Sequence, residues 1–161
     1  MFTGCKNLKK IESAVPVTHY GSHCFDGANP AFLTLDPSIE YEDYVFANMD
    51  GESLTIPDGF TVIPEGMFSG WSNLRSLDLN QVQEIGEYAF YYNALETITL
   101  PESVRLVGEG AFLDDVQKHS YCPLESLVIR SERVHFDGEW YYSPIVGCGG
   151  YNDGNIKVLI G

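Results

Sequence analysis

The sequence predicts a solenoid in which short parallel strands stack turn upon turn, joined by irregular or short-helical chain. Three observations carry that expectation. Residues 1–11, MFTGCKNLKKI, recur as residues 67–77, MFSGWSNLRSL, an offset of 66 that divides into three periods of about 22. Phenylalanine recurs at positions 2, 25, 46, 68, 90 and 112, at spacings of 21 to 23. An aliphatic residue stands eight or nine places after each of the first five, at Ile11, Leu33, Leu54, Leu77 and Ile98.

Within each unit the elements follow in a fixed order. Four of the five centres have a second aliphatic residue two places on, at Leu35, Ile56, Leu79 and Leu100. Alternation of that kind predicts a strand with one buried face. The first unit departs from it, with Ser13 at the second position. Pro57 and Pro101 end the strand, since proline cannot donate to a ladder, and Gly86 and Gly108 mark the next turn. A further apolar residue falls six places after the centre, as Val17, Ile39, Phe60 and Val104. Units of 20–29 residues on an L-x-x-L-x-L core are leucine-rich repeats. The expected fold is a leucine-rich repeat solenoid, a right-handed β-rich superhelix of the α/β class. Its parallel sheet lies on the concave face, and its convex side is mostly irregular or short-helical. One sheet is expected, centred on Ile11, Leu33, Leu54, Leu77, Ile98, Leu127 and Leu159, with the recurrent phenylalanines on the opposite inner wall.

Repetition has a physical cause. One unit offers about five large apolar side chains, each contributing roughly 1.5–3 kcal/mol when buried. Ordering its backbone costs about 1–2 kcal/mol per residue. A lone unit therefore cannot fold, whereas a stack buries each unit against two neighbours. Residues 1–161 read as a single domain of about seven turns, with insertions near 113–121 and 136–155. The chain opens and closes in mid-repeat without a polar cap unit, which suggests a fragment of a longer protein or one that associates weakly end to end.

The stretch LETITLPESVRLVGEGAF, residues 95–112, resembles the BspA-like leucine-rich repeat. The resemblance runs from Phe2 to Ile129, and a ragged seventh turn ends at Ile160. It implies a bacterial surface or secreted protein with an adhesive or host-binding role, no catalytic activity and no cofactor. It also implies a cysteine at the position held by Cys5 and Cys122, where Trp71 stands in its own repeat.

Charge narrows the partners. The formal net charge is −14, and between Ile11 and Leu74 there are ten acids but no Lys or Arg. A nucleic-acid ligand needs a basic stripe to neutralise phosphates, and an anionic membrane surface would be repelled in the same way. No apolar run reaches the roughly 18–20 residues of a membrane span. The four cysteines form no C-x-x-C pair, so zinc and redox motifs are not indicated. They read as buried free thiols, with a Cys122–Cys148 bridge between consecutive turns as the alternative. His19 and His23 read as surface loop histidines rather than as a metal set with Cys24. His119 and His135 lack the neighbours of a catalytic triad.

Binding residues are sought in two places. The strand flanks form two outward columns, Lys10, Phe32, Ser53, Ser76, Thr97, Ser126 and Glu12, Thr34, Thr55, Asp78, Thr99, Val128. They are rich in small hydroxyls and poor in anchors. The two insertions hold the aromatics: Trp140, Tyr141, Tyr142 and Tyr151 in the last turn, and His119 and Tyr121 one turn earlier. Those six are the candidate partner-binding residues, against the plainer reading that they cap the stack. The expected function is an extracellular protein-binding or adhesion module whose partner is a host or matrix protein, or a glycan. A structural spacer within a larger surface protein is the alternative, and a carbohydrate-binding module resting on the aromatic loops is a third reading.

Overall fold

The computed structural model describes residues 2–113, 124–137 and 157–160. Two sets of short parallel strands alternate along the chain. The first set holds the L-x-L steps: β3 (Ser53–Thr55), β5 (Ser76–Asp78), β7 (Thr97–Leu100), β9 (Ser126–Ile129) and β11 (Lys157–Ile160). Leu54 pairs with Leu77, and Ile98 with Leu127, as the repeat spacing predicts. Leu54, Ile56, Leu79, Ile98, Leu100 and Leu127 are all buried, because the two-residue alternation turns every second side chain inward.

This set departs from the expected single sheet in three ways. It is split into β3–β5 and β7–β9–β11. Ile11 and Leu33 lie in no strand, and both are only half-buried. At Leu33 the cause is local. Asn29 Oδ1 accepts the Ala31 N–H at 2.8 Å, and Pro30 opens a 3-10 turn over Pro30–Phe32 that Leu33 closes. Asparagine and proline at those positions favour a capped turn over an extended chain. Finally, Val158 rather than Leu159 pairs with Leu127, a slip of one residue.

The second set was not anticipated. β1 (His19–Tyr20) pairs with β2 (Glu40–Tyr41), and β4 (Val62–Ile63), β6 (Glu84–Ile85), β8 (Leu106–Val107) and β10 (His135–Phe136) form a four-stranded parallel ladder. Ile63, Ile85 and Val107 share one register row and are fully buried. The glycines after β6 and β8 do more than turn the chain. A Cβ on Gly86 would lie 2.7 Å from Glu65 N, and one on Gly108 2.6 Å from Glu87 N. Each is glycine because the backbone of the preceding turn passes against it.

Between the two sets runs the phenylalanine ladder. Phe25, Phe46, Phe68, Phe90 and Phe112 stack in sequence at centroid separations of 5.7, 6.1, 5.5 and 5.4 Å. All five are buried, and Phe2 extends the stack at 5.4 Å from Phe25. Their backbones are linked too: Phe46 N donates to Met67 O, Phe68 N to Ala89 O and Phe90 N to Ala111 O. The inner wall assigned to these residues is thus a third hydrogen-bonded ladder.

The cysteine expectation needs correction. Cys5 is exposed and Cys24 half-buried, and both are free thiols. Trp71, at the position equivalent to Cys5, is 1% exposed because the turn before it encloses it. Its Nε1 donates to Phe46 O at 2.7 Å, and its ring presses on Gly51 so closely that a Cβ there would sit 2.5 Å away. No described turn precedes Cys5 to do the same. Cys122 and Cys148, and with them the proposed bridge, lie outside the described residues.

Candidate interaction surface

Two surfaces emerge from the stacking. On the first strand set the outward positions are those the alternation predicts. Ser53, Thr55, Ser76, Asp78 and Thr97 are exposed, while Thr99, Ser126 and Val128 are half-buried. The result is an almost uncharged row of short side chains. Lys10 and Glu12, in the strandless first turn, form an exposed ion pair instead. Thr34 is likewise exposed beside the 3-10 turn.

The second surface lies at the corner after the second strand set, and sequence reasoning missed it. Two residues before each phenylalanine, His23, Tyr44, Gly66, Tyr88 and Gly110 all take the left-handed conformation, with φ of 54°, 56°, 57°, 52° and 62°. Such φ values are unfavourable for histidine and tyrosine. Here they are held by turn-to-turn hydrogen bonds: Tyr44 N to Glu65 O at 2.9 Å, Gly66 N to Glu87 O at 2.8 Å and Tyr88 N to Glu109 O at 2.9 Å. Tyrosine and glycine alternate for a steric reason. The Tyr44 ring lies over Gly66 and the Tyr88 ring over Gly110, where a Cβ would come within 2.1 and 2.5 Å of the rings. The signal was present as the alternation of EG and DY or EY before each phenylalanine: DYVF, EGMF, EYAF, EGAF.

Aromatic and acidic groups therefore run side by side along this corner. His23 stacks on Tyr44 at 5.0 Å and 7°, and Tyr91 meets Tyr88 edge-on at 5.9 Å and lies 6.4 Å from Tyr92. Asp43, Glu65, Glu87 and Glu109 each precede one member of the row. Tyr44 Oη donates to Glu65 Oε1 at 3.1 Å. Burial, and then the Glu65 carboxylate, push this phenol up to about 12. Rings beside carboxylates suit a ligand that offers both a flat apolar face and hydrogen-bond donors.

The histidines near the first turns are placed as surface residues. His19 sits in β1, exposed, with Nδ1 3.5 Å from Glu40 and Nε2 3.1 Å from Glu42. Glu42 also accepts the Ser22 N–H and hydroxyl at 2.8 and 2.9 Å, which holds its carboxyl below the usual range. His23 is exposed and 3.1 Å from Asp26. Among the described residues no group of three or more His, Cys, Asp or Glu is placed to hold a metal ion. No described helix is long and apolar enough to cross a membrane. Trp140, Tyr141, Tyr142, Tyr151, His119 and Tyr121 lie outside the described residues.

Comparison with known proteins agrees with this geometry. A family model described as a BspA type leucine rich repeat region matches residues 1–118 in six copies. Among solved structures, the chain is similar to a leucine rich cell surface protein from Faecalibacterium prausnitzii A2-165, with 30% sequence identity and a TM-score of 0.60. The match covers 81% of this chain and 35% of the other, so the chain spans about a third of that protein's length. No curated protein matches it.

Proposed function

We propose that this chain, which belongs to the BspA-type leucine-rich repeat family, is a non-enzymatic module that binds another protein outside a bacterial cell. The observation that carries the reading is its likeness to a leucine rich cell surface protein, at 30% identity over 81% of the chain. The stacked strands suit such a role, since side chains held on hydrogen-bonded ladders are offered with little reorganisation on binding. In this reading the coil is right-handed and its first strand set lines the concave side. Short hydroxyls there provide a flat seat, while Trp140, Tyr141 and Tyr142, with Tyr151, His119 and Tyr121, supply the large anchors that such a seat lacks. A glycan partner is the second reading, favoured by the Tyr88, Tyr91 and Tyr92 cluster beside Glu87.

Surface plasmon resonance of the chain over immobilised extracellular matrix proteins, native and enzymatically deglycosylated, separates the readings. Saturable binding that survives deglycosylation, and weakens about tenfold or more in the combined Trp140→Ala, Tyr141→Ala and Tyr142→Ala variant, is the expected result. Binding lost on deglycosylation favours the glycan. A folded chain that binds none of the surfaces would make the module a spacer.

A further inference from the structure

Strand β3 is the first of its ladder and pairs only with β5. In a parallel strand the backbone groups of successive residues point to opposite edges. Glu52 O accepts the Arg75 and Ser76 N–H groups at 2.9 and 3.3 Å, and Ile56 N donates to Asp78 O at 2.8 Å. The even-numbered residues thus serve β5. The peptide groups of Ser53 and Thr55 face the other way, toward residues 29–35, and no backbone hydrogen bond joins β3 to that segment.

The neighbouring unit should have supplied the missing strand, but Asn29 and Pro30 fold it into the 3-10 turn. A groove of about 570 Å³ remains between the two, with Leu33, Leu35, Leu54 and Trp71 among its apolar lining. Glu52 is its one charged lining residue.

We propose that this groove takes an extended, basic segment of another protein, which adds to β3 as an edge strand. Only an extended chain matches what the edge presents, a row of unpaired main-chain donors and acceptors beside an apolar floor. Alternation would set one ligand side chain down among Leu33, Leu35 and Leu54 and its two neighbours outward beside Ser53 and Thr55. The outward neighbours are basic because the surroundings are acidic: Glu52 lines the groove, and ten acids but no Lys or Arg fall between Ile11 and Leu74. This deepens the binding-module reading and rests on it for the existence of a protein partner.

The test is fluorescence anisotropy of a labelled, end-blocked peptide, Lys-Val-Lys-Val-Lys, titrated with the full chain. Saturable binding is expected. Methylating the peptide's valine nitrogens should weaken it about tenfold or more through lost main-chain bonds, and replacing its lysines by glutamate should abolish it. Thr55→Pro removes the N–H that faces the groove without removing a bond of the fold, so it should weaken binding as the methylated peptide does. Equal affinity for the plain and methylated peptides, or no saturable binding of the plain one, overturns the proposal whatever the variant does. Matrix-protein binding by wild type and Thr55→Pro alike would overturn the groove and leave the binding-module reading standing. Peptide capture without matrix-protein binding would do the reverse.

Discussion

Replacing Gly86 by alanine tests whether the stacking distance between turns dictates glycine at the end of the second strand set. The new Cβ would meet Glu65 N at 2.7 Å, Ile63 O at 2.8 Å and Pro64 C at 2.8 Å, all of them backbone atoms. No rotamer change can relieve such contacts. The turns would have to separate by several tenths of an ångström where Gly86 N donates to Ile63 O at 2.8 Å. Overpacking a tight site typically costs about 1–3 kcal/mol. Reduced freedom of the unfolded chain returns about 0.4–1 kcal/mol, because Gly86 is not in the left-handed region. The net expectation is a destabilisation of about 1–2 kcal/mol. Gly21 occupies the equivalent position three units earlier, one residue after β1, yet a Cβ there meets only Glu42 Oε2 at 3.7 Å. Gly21→Ala should therefore be neutral or stabilising by up to about 1 kcal/mol. Urea denaturation followed by circular dichroism reads both, with the Gly86→Ala midpoint falling and the Gly21→Ala midpoint unchanged or raised. A Gly86→Ala midpoint equal to or above that of Gly21→Ala would refute the close-approach argument.

Leu79→Ala, at a residue 2% exposed, should cost about 2–5 kcal/mol in the same denaturation experiment, while Ser76→Ala on the outward row should stay within about 0.5 kcal/mol. Thiol labelling at pH 8, resolved by peptide mass mapping, should find Cys5 reacting on the order of a hundredfold faster than Cys24. Cys5 is exposed, whereas burial above all pushes the Cys24 thiol up to about 11. Equal labelling rates would contradict that assignment. Tyr44 has its folded-state pKa raised to about 12, so its phenol is neutral when an unfolded tyrosine, near 10, has begun to ionise. Its contribution to stability is complete below about pH 10 and is lost as the pH rises toward about 12. Wild type should therefore lose more stability than Tyr44→Phe over that interval, and identical pH profiles would exclude the effect.

The period, the strand centres from Leu54 to Leu127 and the phenylalanine ladder could all be read from the chain. Each turn meets an environment nearly identical to that of its neighbours, so the same requirement is written several times and the copies agree. The features that escaped that reading arise between turns or where a unit breaks the average. Nothing in Val62–Ile63 or Glu84–Ile85 alone marks a strand, since two residues carry no alternation; stacking supplies the partner that makes them one. Gly86 reads as a turn signal until the Glu65 backbone is brought against it. The equivalent repeat positions of Cys5 and Trp71 suggested a common burial, yet burial depends on the turn that precedes, and only Trp71 has one among the described residues. Leu33 fits the repeat as well as Leu54 does, but the local preference of Asn29 and Pro30 outweighs the ladder and leaves the edge of β3 open. A periodic sequence dictates what is common to every turn. The contacts between particular neighbours decide where the turns differ, and the open edge of β3 lies at one of those differences.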